Sequence, residues 1–105
     1  MPLSQESDMG TNNSIALDNI FQTSDDLAWR DVNNEMVVLD IHSGKYITFN
    51  NIGREIWLKV TEEKKIAEIV GDIVKDYNIN WGKASEDVKE FIGELVQKKV
   101  LKLKT

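Results

Sequence analysis

The stretch from Met36 to Val60, MVVLDIHSGKYITFNNIGREIWLKV, most constrains the fold of this chain, because strand, turn, strand and helix signals follow one another in it without a gap. Met36–Ile41 alternates like a strand, Ser43-Gly44 reads as a turn, and Lys45–Phe49 is rich in the Tyr, Ile, Thr and Phe that strands favour. Asn50-Asn51 then opens an amphipathic stretch ending near Trp57–Val60, and Asn at such a junction is suited to cap the first helical turn. A hairpin running directly into a helix is expected. Gly53 falls inside that helix, where it costs on the order of 1 kcal/mol against Ala, so it is read as a point of close approach between helix and sheet.

Upstream, Leu27–Val32 reads as a strand and Asn33-Asn34 as the turn into the next, which begins at Glu35-Met36. Together with the hairpin this makes a three-stranded antiparallel meander. Downstream, Ile52, Ile56 and Val60 recur at helical spacing in the first helix. Ile66, Ile69, Val70, Ile73, Val74 and Tyr77 form one wide apolar stripe in a second, which Thr61 is placed to cap and whose dipole Glu62-Glu63 would complement. Asn80 is the candidate cap of a third, with Ala84, Val88, Phe91, Ile92, Leu95 and Val96 as its stripe. The expected fold class is α+β, winged helix-turn-helix-like, with a three-stranded antiparallel sheet followed by three helices. Trp57, Ile69 and Ile73 are assigned to the core. Val100–Lys104 alternates and would end as a short strand or fray.

Residues 1–24 hold the only Pro, are rich in Ser, Asn, Asp and Gln, and lack Lys and Arg. They are read as a flexible N-terminal tail, disordered over Met1–Asn13, with 25–105 as the domain. Ile15, Leu17, Ile20 and Phe21 are apolar enough for Ser14–Phe21 to dock on the body as an irregular strand. At 105 residues there is room for one modest core. No apolar run is long enough to span a bilayer, and no secretory signal opens the chain. The absence of Cys fits a reducing, cytoplasmic location and removes disulfides and thiolate chemistry. A net charge of −5 opposes nucleic acid as a partner but not a peptide.

The ordered set Leu39, Asp40, Gly44, Tyr46, Phe49, Asn50, Gly53, Ile56 and Trp57 resembles the PqqD-like family, whose hairpin "L-D-x-x-x-G-x-Y-x-x-[LF]-N" runs into "x-x-G-x-x-I-W". The likeness continues through Tyr77-Asn78-Ile79 and through Ala84, Asp87, Val88, Phe91, Ile92 and Leu95, covering about residues 26–101. It departs from the family at its long N-terminal segment and at Trp81-Gly82, where relatives often place Pro and an acid. The resemblance implies a small winged-helix-like domain, a precursor-peptide recognition element. Such a domain binds the leader segment of a ribosomally made peptide and hands it to a maturation enzyme. A separate chain working with a leader protease in a lasso-peptide pathway is the first expectation. A pyrroloquinoline quinone protein D-like chaperone working with a radical enzyme is the second. By the same resemblance, the leader lies between the third strand and third helix, on Lys45, Tyr46, Ile47, Thr48 and Phe49 and on Asp87, Val88, Phe91, Ile92 and Leu95.

The residues themselves bear on these readings. His42 is the only histidine, sits in a turn, and is read as solvated; the paired acids Asp25-Asp26, Glu62-Glu63 and Glu86-Asp87 lie near element ends, where capping and solubility explain them. No catalytic set, cofactor or metal is expected, and the chain is read as a non-enzyme. A DNA-binding winged helix is the minor alternative, but from Gly82 to Gln97 the third helix sets Lys83 and Lys89 against Glu86, Asp87, Glu90 and Glu94, a sum of −2 that would repel a duplex. Tyr46–Phe49 carries neither Pro nor Lys, the usual guards of a free edge, and so would accept an added peptide strand. The competing expectation is that a symmetric partner, making a homodimer, or the N-terminal segment covers that edge, or that the edge is short enough to be tolerated bare.

Overall fold

The computed structural model describes residues 15–104, so the disorder expected for Met1–Asn13 lies outside the described residues. Eight elements follow in order: β1 (Phe21–Thr23), β2 (Leu27–Val32), β3 (Glu35–Asp40), β4 (Tyr46–Asn50), α1 (Asn51–Thr61), α2 (Ile66–Tyr77), α3 (Trp81–Gln97) and β5 (Leu101–Leu103). β2, β3 and β4 form the antiparallel meander, while β1 and β5 make a separate two-stranded ribbon. The architecture is α+β as expected. Winged helix-turn-helix describes it loosely, because the sheet precedes the helices and a single strand, not a hairpin, follows α3.

The turn between β2 and β3 has φ of 54° at Asn33 and 67° at Asn34, the paired left-handed conformation of a two-residue type I′ hairpin that Asn tolerates well. The β3–β4 turn closes by bonds from Gly44 N to Asp40 O (2.8 Å) and from Asp40 N to Lys45 O (2.9 Å), with Gly44 at φ 75°. Alternation then sorts the side chains: Met36 and Val38 are buried, their cross-strand partners Phe49 and Ile47 half-buried, and Tyr46 and Thr48 exposed on the outer face.

Helix α1 lies against the inner face of the sheet and α2 packs on α3. Trp57 is fully buried at the junction, its ring 5.5 Å from Trp29 in an edge contact and 5.7 Å from Phe49. Ile69 and Ile73 are fully buried on α2, as their spacing predicts. Gly53 is tight for the reason expected: a Cβ there would stand 3.1 Å from a ring carbon of Phe91 and 3.2 Å from Cβ of Phe49.

The capping expectations divide. Asn80 accepts a bond from Lys83 N at 2.8 Å and caps α3. Asn50 makes no side-chain cap bond, and Asn51 enters α1 at φ 51°, so that junction turns by a left-handed residue instead. Thr61 does not cap α2; it ends α1, its hydroxyl donating to Leu58 O. The first N–H groups of α2 are satisfied from a distance, Ile66 N bonding Asn19 O (2.9 Å) and Ala67 N bonding Leu17 O (2.8 Å). Packing therefore runs back to Ile15, which is buried with Phe21, and Phe21 opens the strand that pairs with Leu103.

Candidate functional site

In an antiparallel ladder the residues of one strand alternate between those that bond the neighbour and those whose N–H and C=O face away. Asp40 donates to Lys45 O, which fixes the phase: Ile47 and Phe49 turn their backbone groups toward Val38 and Met36. Tyr46 and Thr48 therefore present their N–H and C=O, and Asn50 its N–H, to the open side of β4, the Asn50 carbonyl being committed to the first turn of α1. No described strand pairs there, and the described N-terminal segment, residues 15–24, lies against α2 and β5 instead.

Beside this edge runs a groove walled by α3. At its α1 end is a cleft of about 290 Å³ lined by Ile52, Gly53, Phe91, Asp87, Glu90 and Glu94. A second cleft of about 350 Å³ lies at the β3–β4 turn, lined by Ile47, Tyr46, Lys45, Asp40, Lys98 and Val100. The Phe49 and Phe91 rings stand 5.0 Å apart in an edge-to-face contact that joins strand to helix between the two.

The sequence-derived site residues separate by burial. Tyr46 is 67 % exposed and Lys45 and Thr48 are exposed, whereas Ile47 and Phe49 are half-buried on the inner face. On α3, Asp87 and Phe91 reach the groove, Asp87 pairing with Lys83 at 3.2 Å. Val88 and Ile92 are 0 % exposed and Leu95 3 %, so these three support the groove from within the core. The sequence reading omitted Glu90, Glu94 and Lys98. Their signal was available, since Asp87, Phe91, Glu94 and Lys98 recur at the i+4, i+7 and i+11 spacing that makes one helix face. That acidity entered only as an argument against DNA.

Away from the groove, the Arg54 guanidinium on α1 reaches Asp31 on β2, its Nε donating at 3.0–3.1 Å and a terminal nitrogen also donating. Those hydrogen bonds hold the Asp31 carboxyl below the usual carboxylate range. His42 Nε2 lies 2.6 Å from Asp26 Oδ2 in an exposed contact. Among the described residues, no helix is long and apolar enough to cross a membrane.

The family described as "Coenzyme PQQ synthesis protein D (PqqD)" matches residues 35–101. No curated protein matches the chain. Among solved structures, the chain is similar to "TbiB1 in Complex with the TbiA(beta) Leader Peptide", with 27 % identity, TM-score 0.74, and coverage of 77 % of this chain and 94 % of that one. It shares its fold with "Lasso peptide synthetase B1 complexed with the leader peptide", at 18 % identity, TM-score 0.74, and coverage of 78 % of this chain and 96 % of that one.

Proposed function

The chain belongs to the PqqD family, and from that membership we propose that it is a leader-peptide recognition element of a lasso-peptide pathway. The observation that carries the reading is the open edge of β4 beside the α3 groove: among the described residues, Tyr46 and Thr48 hold unpaired N–H and C=O groups and Asn50 an unpaired N–H, in line with an apolar-floored cleft. An extended leader adds there as a fourth strand, its backbone supplying affinity and its alternate side chains entering the groove. Both similar structures hold a leader peptide, which favours a peptide over a second copy of the chain as occupant.

The domain then acts by binding and not by chemistry. Holding the leader raises the effective concentration of the attached core peptide at a partner enzyme, with a leader protease as the first candidate. A chaperone role beside a radical enzyme of pyrroloquinoline quinone synthesis is the second reading, favoured by the family description alone. Asp87, Glu90 and Glu94 on the exposed side of α3 weigh against duplex DNA, whose phosphates they would repel.

Calorimetric titration with synthetic leader segments of any short precursor frame found among the neighbouring genes tests the proposal, with amide exchange reporting the site. Saturable binding that protects the Thr48 and Asn50 amides is expected. Binding without protection of β4 would overturn the strand mechanism, and sequence-specific duplex binding at physiological salt would overturn the peptide reading.

A further inference from the structure

The groove is charged in opposite senses at its two ends. Its α1 end is bordered by Glu90 and Glu94, both exposed and, among the described residues, without an ion pair, and by Asp87, which Lys83 already engages. At the other end stand Lys45 and Lys98, both exposed and, among the described residues, without an acidic partner. The one carboxylate there, Asp40, is occupied locally by the amides of His42 (3.0 Å) and Ser43 (3.4 Å). Between the ends the floor is apolar, formed by Ile47, Phe49 and Phe91.

The two walls have matching lengths. From Lys45 to Asn50 the strand spans about 16 Å at its usual rise. Along α3, Asp87 to Lys98 also spans about 16 Å. Strand and helix run in opposite directions, because Asp87 neighbours Gly53, just beyond the end of β4, while Lys98 shares a cleft with Lys45 at its start. Glu90 and Lys98 are about 12 Å apart along the helix. In an extended peptide, residues four apart lie on one face at about 13 Å.

Resting on the leader-binding reading, we infer that this groove selects its peptide by the order of its charges: a Lys or Arg first, an apolar residue two positions on, and an Asp or Glu two positions after that. The order follows from antiparallel addition, the more stable pairing, which sets the peptide's N-terminal end beside Asn50 and the acidic cluster. The first residue meets Glu90 and Glu94, the middle one rests on Phe91 and Ile47, and the last meets Lys45 and Lys98.

Fluorescence anisotropy with two labelled dodecapeptides of identical composition tests this, one centred on Lys-Thr-Leu-Thr-Glu and the other on Glu-Thr-Leu-Thr-Lys, both flanked by Gly-Ser repeats. The basic-first peptide is expected to bind about tenfold tighter at low salt, the preference shrinking between about 50 mM and 0.5 M salt as screening sets in. The variant E90K/E94K, altered at two exposed positions, leaves both ends of the groove basic and should abolish the preference. Equal affinities of the parent for the two peptides, a parent preference for the acid-first peptide, or a preference that survives in E90K/E94K overturns the inference. Thr48→Pro separates it from the reading beneath: lost binding of both peptides on Thr48→Pro with no charge preference in the parent removes the charge order and keeps strand addition. Binding unaffected by Thr48→Pro, or no binding of either peptide at millimolar concentration, removes both.

Discussion

Among the described residues, the two edges of the β2–β3–β4 sheet each carry a row of unpaired backbone groups and receive opposite treatment. On β2, Arg30 and Asp31 are charged, and Asp31 points inward to a guanidinium that α1 delivers across the edge. An inward-facing charge on an edge strand is a recognised barrier to further pairing, since an added strand would have to bury or displace it. On β4, YITFN has no charge and no Pro, and the neighbouring helix leaves a groove instead of a cover. One edge is shut and the other is left available. The difference shows that the bare β4 edge is a local property, not a general lack of protection in a small domain.

The largest expected effects come from proline scanning along β4. Ile47 turns its N–H toward Val38, so Ile47→Pro removes a ladder bond and should cost about 3 kcal/mol or more, enough to abolish cooperative folding in a domain of this size. Thr48 turns its N–H outward, so Thr48→Pro should keep its circular dichroism and lose most of the affinity for a leader, at least about tenfold or about 1.4 kcal/mol. Comparable binding loss from Trp29→Pro, on the β2 edge, would break the contrast. Val88 is no probe of the groove, because it is fully buried, and Val88→Asp would report on the core instead.

A smaller effect is expected where α1 meets the groove. Gly53→Leu must push apart Phe49 and Phe91, which stand within 3.1–3.2 Å of the position its Cβ would take. Overpacking of this kind costs about 1–3 kcal/mol and would distort the acidic cleft. A lowered midpoint in urea together with weakened leader binding is the expected pair of results. Unchanged stability would mean that the Phe91 ring swings clear, and that the groove adapts more readily than its packing implies.

How much of this was legible in the sequence depended on the range over which each signal acts. The Asn33-Asn34 turn, the Ile66–Tyr77 stripe, the Asn80 cap and the tight Gly53 were readable because each is decided within a few residues or by one periodicity. Thr61 was misleading for the converse reason. Thr followed by two acids is a sound local start signal, but the N-terminal segment brings Leu17 O and Asn19 O to the first amides of α2, so the helix begins at Ile66, where Glu68 Oε1 accepts from Lys65 N at 2.9 Å and Thr61 takes no part. At the site, strand alternation and helix phase could name both walls. The apolar stripe already held Val88, Ile92 and Leu95, and spacing already put Glu94 on one face with Asp87 and Phe91; what spacing could not say is which of these residues border the β4 edge, because that depends on how α3 is rotated against α2.

The guard on β2 offers a further way to sharpen the contrast. Asp31→Val leaves the strand propensity intact, removes the carboxylate and releases Arg54 from the strand to its remaining partner Glu55 (2.9 Å), turning the shut edge into one more like β4. Concentration-dependent association in sedimentation velocity is expected of this variant and not of the parent. The associated form should still bind leader, since β4 is untouched. A monomeric Asp31→Val protein would mean that strand brevity or the exposed Trp29 protects that edge instead.

The smallest expected effect is a dependence on pH. Hydrogen bonds from Arg54 lower the Asp31 pKa below the usual carboxylate range, so the folded state holds this proton less tightly than the unfolded chain does. A group of that kind contributes its stability in full above the unfolded value and loses it as pH falls through the folded one. The contribution of the pair should therefore be constant from neutrality down to about pH 4 and decline only below that. Both partners are partly solvent-exposed, so the change in melting temperature should be slight and reduced by salt. Other carboxylates titrate in the same window, which makes the difference between the parent and Asp31→Asn the informative quantity. That difference should shrink as pH drops from 4 toward 2. A gap that stays constant across the range would show that the carboxylate charge is not what holds Arg54 over the β2 edge, and that the edge is shut by packing alone.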